Sequence, residues 1–459
     1  METRVDIIGA GLAGSEAALQ LARRGVKVRL LEMRPHKQTA VHRTGKCAEL
    51  VCSNSLKSMK AESAAGMLKS ELCALGSALY GVALRHRVEA GGALAVDREA
   101  FADEVTSMVE SHPGIELVRE EAVGLDTDAA AMIVASGPLT SDRLASSLSE
   151  TTGMSHLAFY DAAAPIVMAD SLDLDVLFRQ SRYEEEGPGD YLNAPFTKEE
   201  YGAFIEALTG AERVVEKSFE ARELFQACQP IEEIARKGVD APRYGALKPV
   251  GLIDPKTGRR PWAAVQLRAE DAYGSSYNLV GFQTNLTFPE QGRVFRMIPG
   301  LTHAEFARFG VMHRNTFIDA PRLLHTDLRM RPAGRPDGKA APRAPLFVAG
   351  QLSGTEGYCE AIMSGLVAAL GAYALLSGAE MPEFPPETAF GALLAYATDP
   401  AVKDYQPMHV NFGLIPPLEA PIKNRQQRYL AYAQRGGKAM EGFVSRLAES
   451  GLMGNGKGL

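Results

Sequence analysis

Short unbroken apolar runs recur at Val5 to Gly9 (VDIIG), Val26 to Leu31 (VKVRLL), Ala131 to Ala135 (AMIVA) and Leu346 to Ala349 (LFVA). Runs of this kind predict strands buried on both faces, as in a parallel sheet. Between the first two lies GSEAALQLARR, Gly14 to Arg24, with Ala17, Leu19, Leu21 and Ala22 available for a packed face. This predicts a helix that Gly25 stops, and the strand–helix–strand unit predicts a doubly wound α/β sheet. The late strand leads into a long helix rich in small residues, Cys359 to Leu376. The middle of the chain, about 161 to 299, mixes both periods, is punctuated by Pro and Gly, and carries Tyr183, Tyr191, Phe196, Tyr201 and Phe204. It reads as an inserted α+β domain. The sheet domain is then discontinuous, 1–160 and 300–445, with a flexible tail at 446–459. RPAGRPDGKAAPRAP reads as a loop and the terminal GLMGNGKGL as disordered.

Composition narrows the class. The 459 residues are 46% hydrophobic and 23% charged, as in an ordinary soluble globular protein with room for a large core. The N-terminus lacks the basic-then-apolar layout of a signal peptide, and no uninterrupted apolar run reaches membrane-spanning length, so a cytoplasmic protein is expected. The scattered cysteines, Cys47, Cys52, Cys73, Cys228 and Cys359, do not form a disulfide framework. Cys47-x4-Cys52 has no second pair at zinc-ligand spacing, so no metal is expected. The net charge is −7, yet basic residues gather at Arg236, Lys237, Arg243, Lys248, Lys256, Arg259 and Arg260, again between Arg314 and Arg343, and in KNRQQRY from Lys423. Any one such cluster is ordinarily a solvated surface; three together leave room for a phosphate-bearing partner.

Two glycine motifs carry chemistry. Gly9-Ala10-Gly11-Leu12-Ala13-Gly14 joins the first strand to the first helix, and Glu32 ends the second strand. Gly9 suits a tight turn, Gly11 lets backbone approach a pyrophosphate, and Gly14 lets helix and strand pack closely. Glu32 stands where an acid hydrogen-bonds a ribose hydroxyl. The late turn Gly350-Gln351-Leu352-Ser353-Gly354-Thr355-Glu356-Gly357-Tyr358 joins a buried strand to the small-residue helix, whose N-terminus suits a negatively charged group. A second such turn favours FAD over NAD.

The cysteines divide by context. Cys52 lies among Lys46, Lys57 and Lys60, and Cys228 just before the helical-looking IEEIARKG. Both settings favour reactivity. Cys73 and Cys359 read as small buried hydrophobes, and Cys47 is open. His313 in GVMHRNTFID and His409 in QPMHVNFG are weaker candidates.

Taken together, GAGLAGSEAA with LLEMRP, AELVCSNSLKS, ASGPLTS, FYDAAAPIV, FQACQPIEEIARKG, NLVGFQTNL, RVFRMIPGL, FGVMHRNTFI, VAGQLSGTEGYCEAI and QPMHVNFGLIPPL resemble the folate- and FAD-dependent tRNA uracil-5-methyltransferases, TrmFO, over nearly the whole chain. The resemblance implies a glutathione-reductase-like FAD domain of Rossmann type. It also implies carbon taken from 5,10-methylenetetrahydrofolate by way of reduced FAD, NADH or NADPH as reductant, and 5-methyluridine at position 54 of the tRNA T-arm as product. The two family cysteines match Cys52 and Cys228. We assign Cys228 as the uracil nucleophile and Cys52 as the flavin-side partner; Cys47 receives no role. His313 is a candidate for stacking on folate, and Arg236, Lys237, Arg243 and Lys248 for RNA backbone contacts. A more distant resemblance is to the wobble-uridine carboxymethylaminomethyl-modifying flavoproteins, which carry an added C-terminal helical region not found in this sequence. Two other readings stay open: a flavin-dependent thiol/disulfide oxidoreductase using Cys47 and Cys52, and a non-catalytic FAD-binding scaffold.

Overall fold

The structure, a computed structural model, describes residues 3–39, 41–153, 158–162, 164–182, 189–214, 229–269, 274–310, 312–331, 344–402, 405 and 407–454. The apolar runs form one parallel sheet of five strands, ordered Leu346–Val348, Ala131–Val134, Arg4–Ile8, Lys27–Leu31 and Ile115–Val118. Val5, Ile7 and Val134 are wholly buried, as strands covered on both faces require. The first helix, Leu12–Arg23, leaves the first strand directly and lies under the late helix, Tyr358–Ser377. Where the two helices cross, a Cβ on Gly365 would lie 2.1 Å from the Ala13 carbonyl oxygen. Only glycine permits that approach, which brings both helix N-termini to one end of the sheet.

A smaller antiparallel sheet, Ser55–Ser58, Ala93–Val96 and Arg87–Val88, flanks this domain. The inserted region builds its own six-stranded sheet, with Tyr191–Phe196 and Ala263–Ala269 paired antiparallel at its centre. It has a separate core in which Phe196, Phe204, Phe282 and Phe295 follow one another ring to ring. This sheet does not stop at residue 299. Phe306–Arg308 pairs with Ile166–Met168 at its edge, and Leu301 and Ala304 lie in its core. The edge strand is too short to show a period of its own, so its allegiance is visible only in the pairing. An antiparallel ribbon of Ala158–Ala162 and Met312–Thr316 stands at the junction of the two domains.

The expected flexible tail is a correction. The helix Arg425–Glu449 runs through residue 446, and Leu447 and Leu452 are fully buried. Arg24 Nε donates to the Leu452 carbonyl at 2.9 Å. Apolar anchors spaced among glycines hold the segment through Gly454; residues 455–459 lie outside the described residues, as does most of RPAGRPDGKAAPRAP. Among the described residues one helix, Tyr358–Ser377, is long and apolar enough to cross a membrane, and it is mostly buried in the core.

Candidate active site

The first glycine turn divides its labour as its spacing predicts. Gly9 has φ +98°, and a Cβ there would meet the Ala135 carbonyl oxygen at 2.5 Å. A Cβ on Gly14 would sit 1.8 Å from the Gly9 oxygen. Gly11, by contrast, faces open space and caps the first helix without any side-chain cap. The helix's first N–H groups are thus left for a ligand, beside a position where backbone can be approached closely. Ala10 N donates to Glu32 Oε2 at 2.9 Å, which locks the turn to the end of the second strand.

Glu32 is buried, and burial opposes its ionisation. The guanidinium and N–H of Arg34, together with Ala10 N, outweigh that and hold the carboxyl below its ordinary value. Arg34, 2% exposed, also reaches Glu49 at 3.1 Å. Glu32 is therefore presented as a carboxylate in a fixed orientation.

The late turn is closed on itself. Ser353 Oγ and Thr355 Oγ1 both donate to the Gly350 carbonyl, and Gly350 N donates to Ser364 Oγ at 2.7 Å. The Gln351 carbonyl accepts from Gly354 N. Gly350, Gly354 and Gly357 all have positive φ, and a Cβ on Gly354 would strike the Tyr405 hydroxyl at 2.0 Å. The strand-like segment at Met408 exchanges backbone hydrogen bonds with Gly354 and Glu356. His409, on that segment, is kept below its ordinary pKa by burial and then by the nearby Lys57 charge. Gly357 caps the late helix without a side-chain cap, which leaves a second open helix N-terminus. Two such termini, one uncrowded glycine and one fixed acid fit a dinucleotide of the FAD kind. Gly9 to Gly14 would hold the pyrophosphate, Glu32 the ribose, and the Gly350–Tyr358 turn the far end.

The loop that carries Cys52 is held from four directions by residues distant in sequence. Cys52 N and Ser53 N both donate to the Tyr358 hydroxyl, at 2.9 and 3.1 Å. Arg308 donates to the carbonyls of Val51 and Cys52, at 2.5 and 3.2 Å, and Arg98 to that of Leu50 at 2.6 Å. From the inserted sheet, Arg268 donates to Ser53 Oγ at 2.6 Å and to Asn54 Oδ1 at 2.8 Å. The wholly buried Asn54 returns a hydrogen bond to the Ala269 carbonyl. Burial, then the neighbouring Cys52, pushes the Tyr358 hydroxyl up to about 12, so it stays protonated and free to accept and to donate. The seam between the two domains thus runs through this loop, and Cys52 itself is partly exposed there.

The basic setting of the Cys52 loop draws on side chains from outside its own stretch of sequence. Lys46 is paired with Asp103 at 2.7 Å and Lys57 with Glu360 at 3.5 Å. The cations on the loop are Arg98, Arg268 and Arg308. No motif marks them; the one sequence signal is Arg268, the single charge in the strand AAVQLRA, where packing alone would place none. Cys47 is fully buried, and burial pushes its thiol up to about 11. Cys47 is thereby disfavoured as a thiolate. Cys359 is buried and likewise raised to about 11, whereas Cys73 is exposed on the last turn of Ala64–Ala74, contrary to expectation. An apolar-looking helix has a solvent face that composition does not reveal.

Cys228 lies outside the described residues, as do Arg335, Lys339 and Arg343 of the Arg314–Arg343 cluster; of its described members Arg322 lies against Asp319, Arg329 against Asp327, and Arg331 donates to the Leu324 carbonyl. His313 sits opposite Asp161 in the junction ribbon. The other basic cluster is split. Arg236 pairs with Glu233 at 2.9 Å and Lys237 bonds Gln229 at one end of Ile231–Arg236. Arg243 and Lys248 instead line a separate groove. Helix ends and loops sort neighbouring charges onto different faces. Among the described residues no group of His, Cys, Asp and Glu is arranged to hold a metal ion.

Residues 4–380 match the family described as Glucose inhibited division protein A, GIDA. Two crystal forms of Aquifex aeolicus GidA share the fold with TM-scores of 0.65 at 16% identity, covering 98% of this chain and 76% and 79% of theirs. Fold and glycine turns together define an α/β protein of the GIDA class. The chain is also 54% identical over 437 residues to the methylenetetrahydrofolate–tRNA-(uracil-5-)-methyltransferase TrmFO of Symbiobacterium thermophilum, covering 95% of each. The protein of that name from Geobacter sulfurreducens is 52% identical over 428 residues, 93% of this chain and 96% of its own. The chain belongs to the TrmFO family.

Proposed function

We propose that this chain methylates C5 of uridine in tRNA with the carbon of 5,10-methylenetetrahydrofolate, acting at position 54 of the T-loop in the cytoplasm. The observation that carries the reading is identity above one half, over almost the full length, to proteins named for that reaction, in a chain whose two glycine turns fit FAD. Bound FAD would supply the redox chemistry, with electrons from NADH or NADPH.

Uracil C5 is a weak nucleophile. Addition of a cysteine thiolate to C6 forms an S–C6 bond and pushes the ring electrons toward C5, which can then attack a methylene electrophile; loss of the C5 proton with cleavage of the C–N bond to the carrier leaves an exocyclic methylene, and a hydride drawn from NADH or NADPH would reduce it to methyl as the S–C6 bond breaks, expelling the thiolate and restoring the ring. Cys228 is our candidate for that thiolate. Cys52 is our candidate for the thiol that faces the nucleotide end and manages protons there. The hydrogen bonds that the loop donates to Tyr358 and accepts from Arg98, Arg268 and Arg308 support this by fixing residues 50–54 on both sides of the domain seam. His313, on the junction ribbon, is the candidate for stacking on folate. The target base must leave its stack to be attacked from its face.

The test is nucleoside mass spectrometry on an unmodified tRNA transcript, incubated with the protein, NADH or NADPH, and methylenetetrahydrofolate labelled in its methylene carbon. Label in 5-methyluridine is expected. A flavin-loaded protein that oxidises NADH or NADPH yet leaves the transcript unlabelled would sink the proposal.

A further inference from the structure

A concavity of about 1150 Å³ in the inserted domain belongs to neither glycine turn nor the Cys52 loop. Lys198, Arg243, Lys248, Lys256, Arg259 and Arg260 line it, against two acids, Glu200 and Asp254. The acids do little to neutralise it. Glu200 is spent in a capping box with Thr197, and Asp254 accepts from the loop's own Lys256 N and Thr257 Oγ1. Among the described residues Lys198, Lys256, Arg259 and Arg260 form no ion pair, and the last three are exposed. A concave surface with unneutralised cations concentrates polyanions.

Aromatic rings stand among the charges. Trp262 is covered by the Arg243 guanidinium at 3.8 Å, with Lys198 at 5.2 Å from the same ring. Arg243 Nε also donates to the Trp262 carbonyl, so this stack is fixed. Tyr244, next in sequence, is 85% exposed, the most exposed large hydrophobic side chain described. A ring that pays such solvent exposure beside unpaired cations is what a base-stacking platform needs. The groove has a defined relation to the active site. Trp262 N bonds Phe196 O where the strands Ala263–Ala269 and Tyr191–Phe196 begin and end, and Arg268 holds the Cys52 loop at the other end of the same strand. The six residue steps from Trp262 to Arg268 span about 20 Å.

Resting on the methylation reading, we propose that this groove is a second station for the tRNA substrate: its cations hold a run of backbone phosphates and Tyr244 stacks one unpaired base, in a groove whose Trp262 lies about 20 Å along the strand from the Arg268 that holds the Cys52 loop. The rigid strand sets the span between the held segment and the reacting uridine.

The experiment is tRNA binding by fluorescence anisotropy across a salt series, with unmodified transcript and, separately, heparin, which has no base to stack. Tyr244→Ala is expected to weaken tRNA binding about 5- to 150-fold with an unchanged salt slope, to leave heparin binding alone, and to be rescued by Tyr244→Phe. Arg259→Ala with Arg260→Ala should weaken both polyanions and flatten the slope of log K against log salt by about 1.4. Melting temperatures of the variants report whether each still folds. Tyr244→Ala binding tRNA within about twofold of the parent, or losing heparin equally, overturns the stacking role. An unchanged slope in the arginine variant overturns the phosphate role. A parent that binds through the groove but forms no 5-methyluridine overturns the reaction and leaves the groove standing. A methylating parent whose groove variants match it overturns the groove alone.

Discussion

The Gly9–Gly14 turn and the Cys52 loop lie in one domain but are specified in different ways. The turn is made by backbone within six residues. Its function follows from where a Cβ is forbidden, at Gly9 and Gly14, and where it is merely unwelcome, at Gly11. The loop is made by side chains that arrive from 46, 214, 256 and 306 residues away. Steric demands on a turn are local and leave a readable spacing. Hydrogen bonds from distant arginines leave almost none. The site therefore has one end built for any dinucleotide and another end unique to this domain pairing.

The contrast can be broken most severely at Cys52. Cys52→Ala is expected to lower tRNA methylation by about 10³-fold or more while the purified protein keeps its FAD, read by flavin absorbance. Normal methylation by that variant would reduce the loop to a structural seam. In the same assay, Cys228→Ser should no longer form a covalent complex with T-arm RNA containing 5-fluorouracil; if Cys52→Ser loses the complex instead, the two roles are exchanged.

The turn offers the reverse pattern. Gly14→Ala places a methyl where 1.8 Å is available, and should destabilise the fold by about 1–3 kcal/mol and empty it of FAD. Gly11→Ala has φ −74° and open space, so the protein should melt normally and lose only cofactor affinity. Equal melting losses in the two variants would mean that the three glycines do not have separate tasks.

A smaller effect is expected at Arg308, which donates to the Val51 and Cys52 carbonyls of the loop. Arg308→Ala should cut methylation about 10- to 100-fold through misplacement of Cys52, with FAD content unchanged. Unaltered kcat there would show that Tyr358 and Arg268 suffice to hold the loop.

The smallest is a pH effect at another long-range tie. Glu71 accepts from Ala389 N and Phe390 N, and burial raises its carboxyl from 4.5 to about 8. Between those values the folded chain holds a proton that the unfolded chain releases. This contribution to stability is complete below pH 4.5, declines as pH rises, and is lost through about pH 8. Glu71→Gln should flatten the fall in melting temperature between pH 5 and 8 by a few degrees. A parallel decline in both proteins would mean that Glu71 is ionised in the fold.

The sequence by itself determined the nucleotide end in outline. Gly9, Gly11, Gly14, Glu32 and the Gly350–Gly357 turn were legible because strand period, turn chemistry and close packing each act over a few residues. The candidate role of Cys52 was legible only as a family resemblance, and Cys228 lies outside the described residues. What surrounds Cys52 was not legible. Lys46, Lys57 and Lys60 are near in sequence, but pairing draws Lys46 and Lys57 to Asp103 and Glu360, while Arg98, Arg268 and Arg308 come from three other elements. The same holds for the buried Cys47, the exposed Cys73, the anchored segment through Gly454, the edge strand Phe306–Arg308, and the parting of Arg236 and Lys237 from Arg243 and Lys248. Each depends on which surfaces meet after the chain has folded, and contact between distant residues leaves no period in the sequence that codes for it.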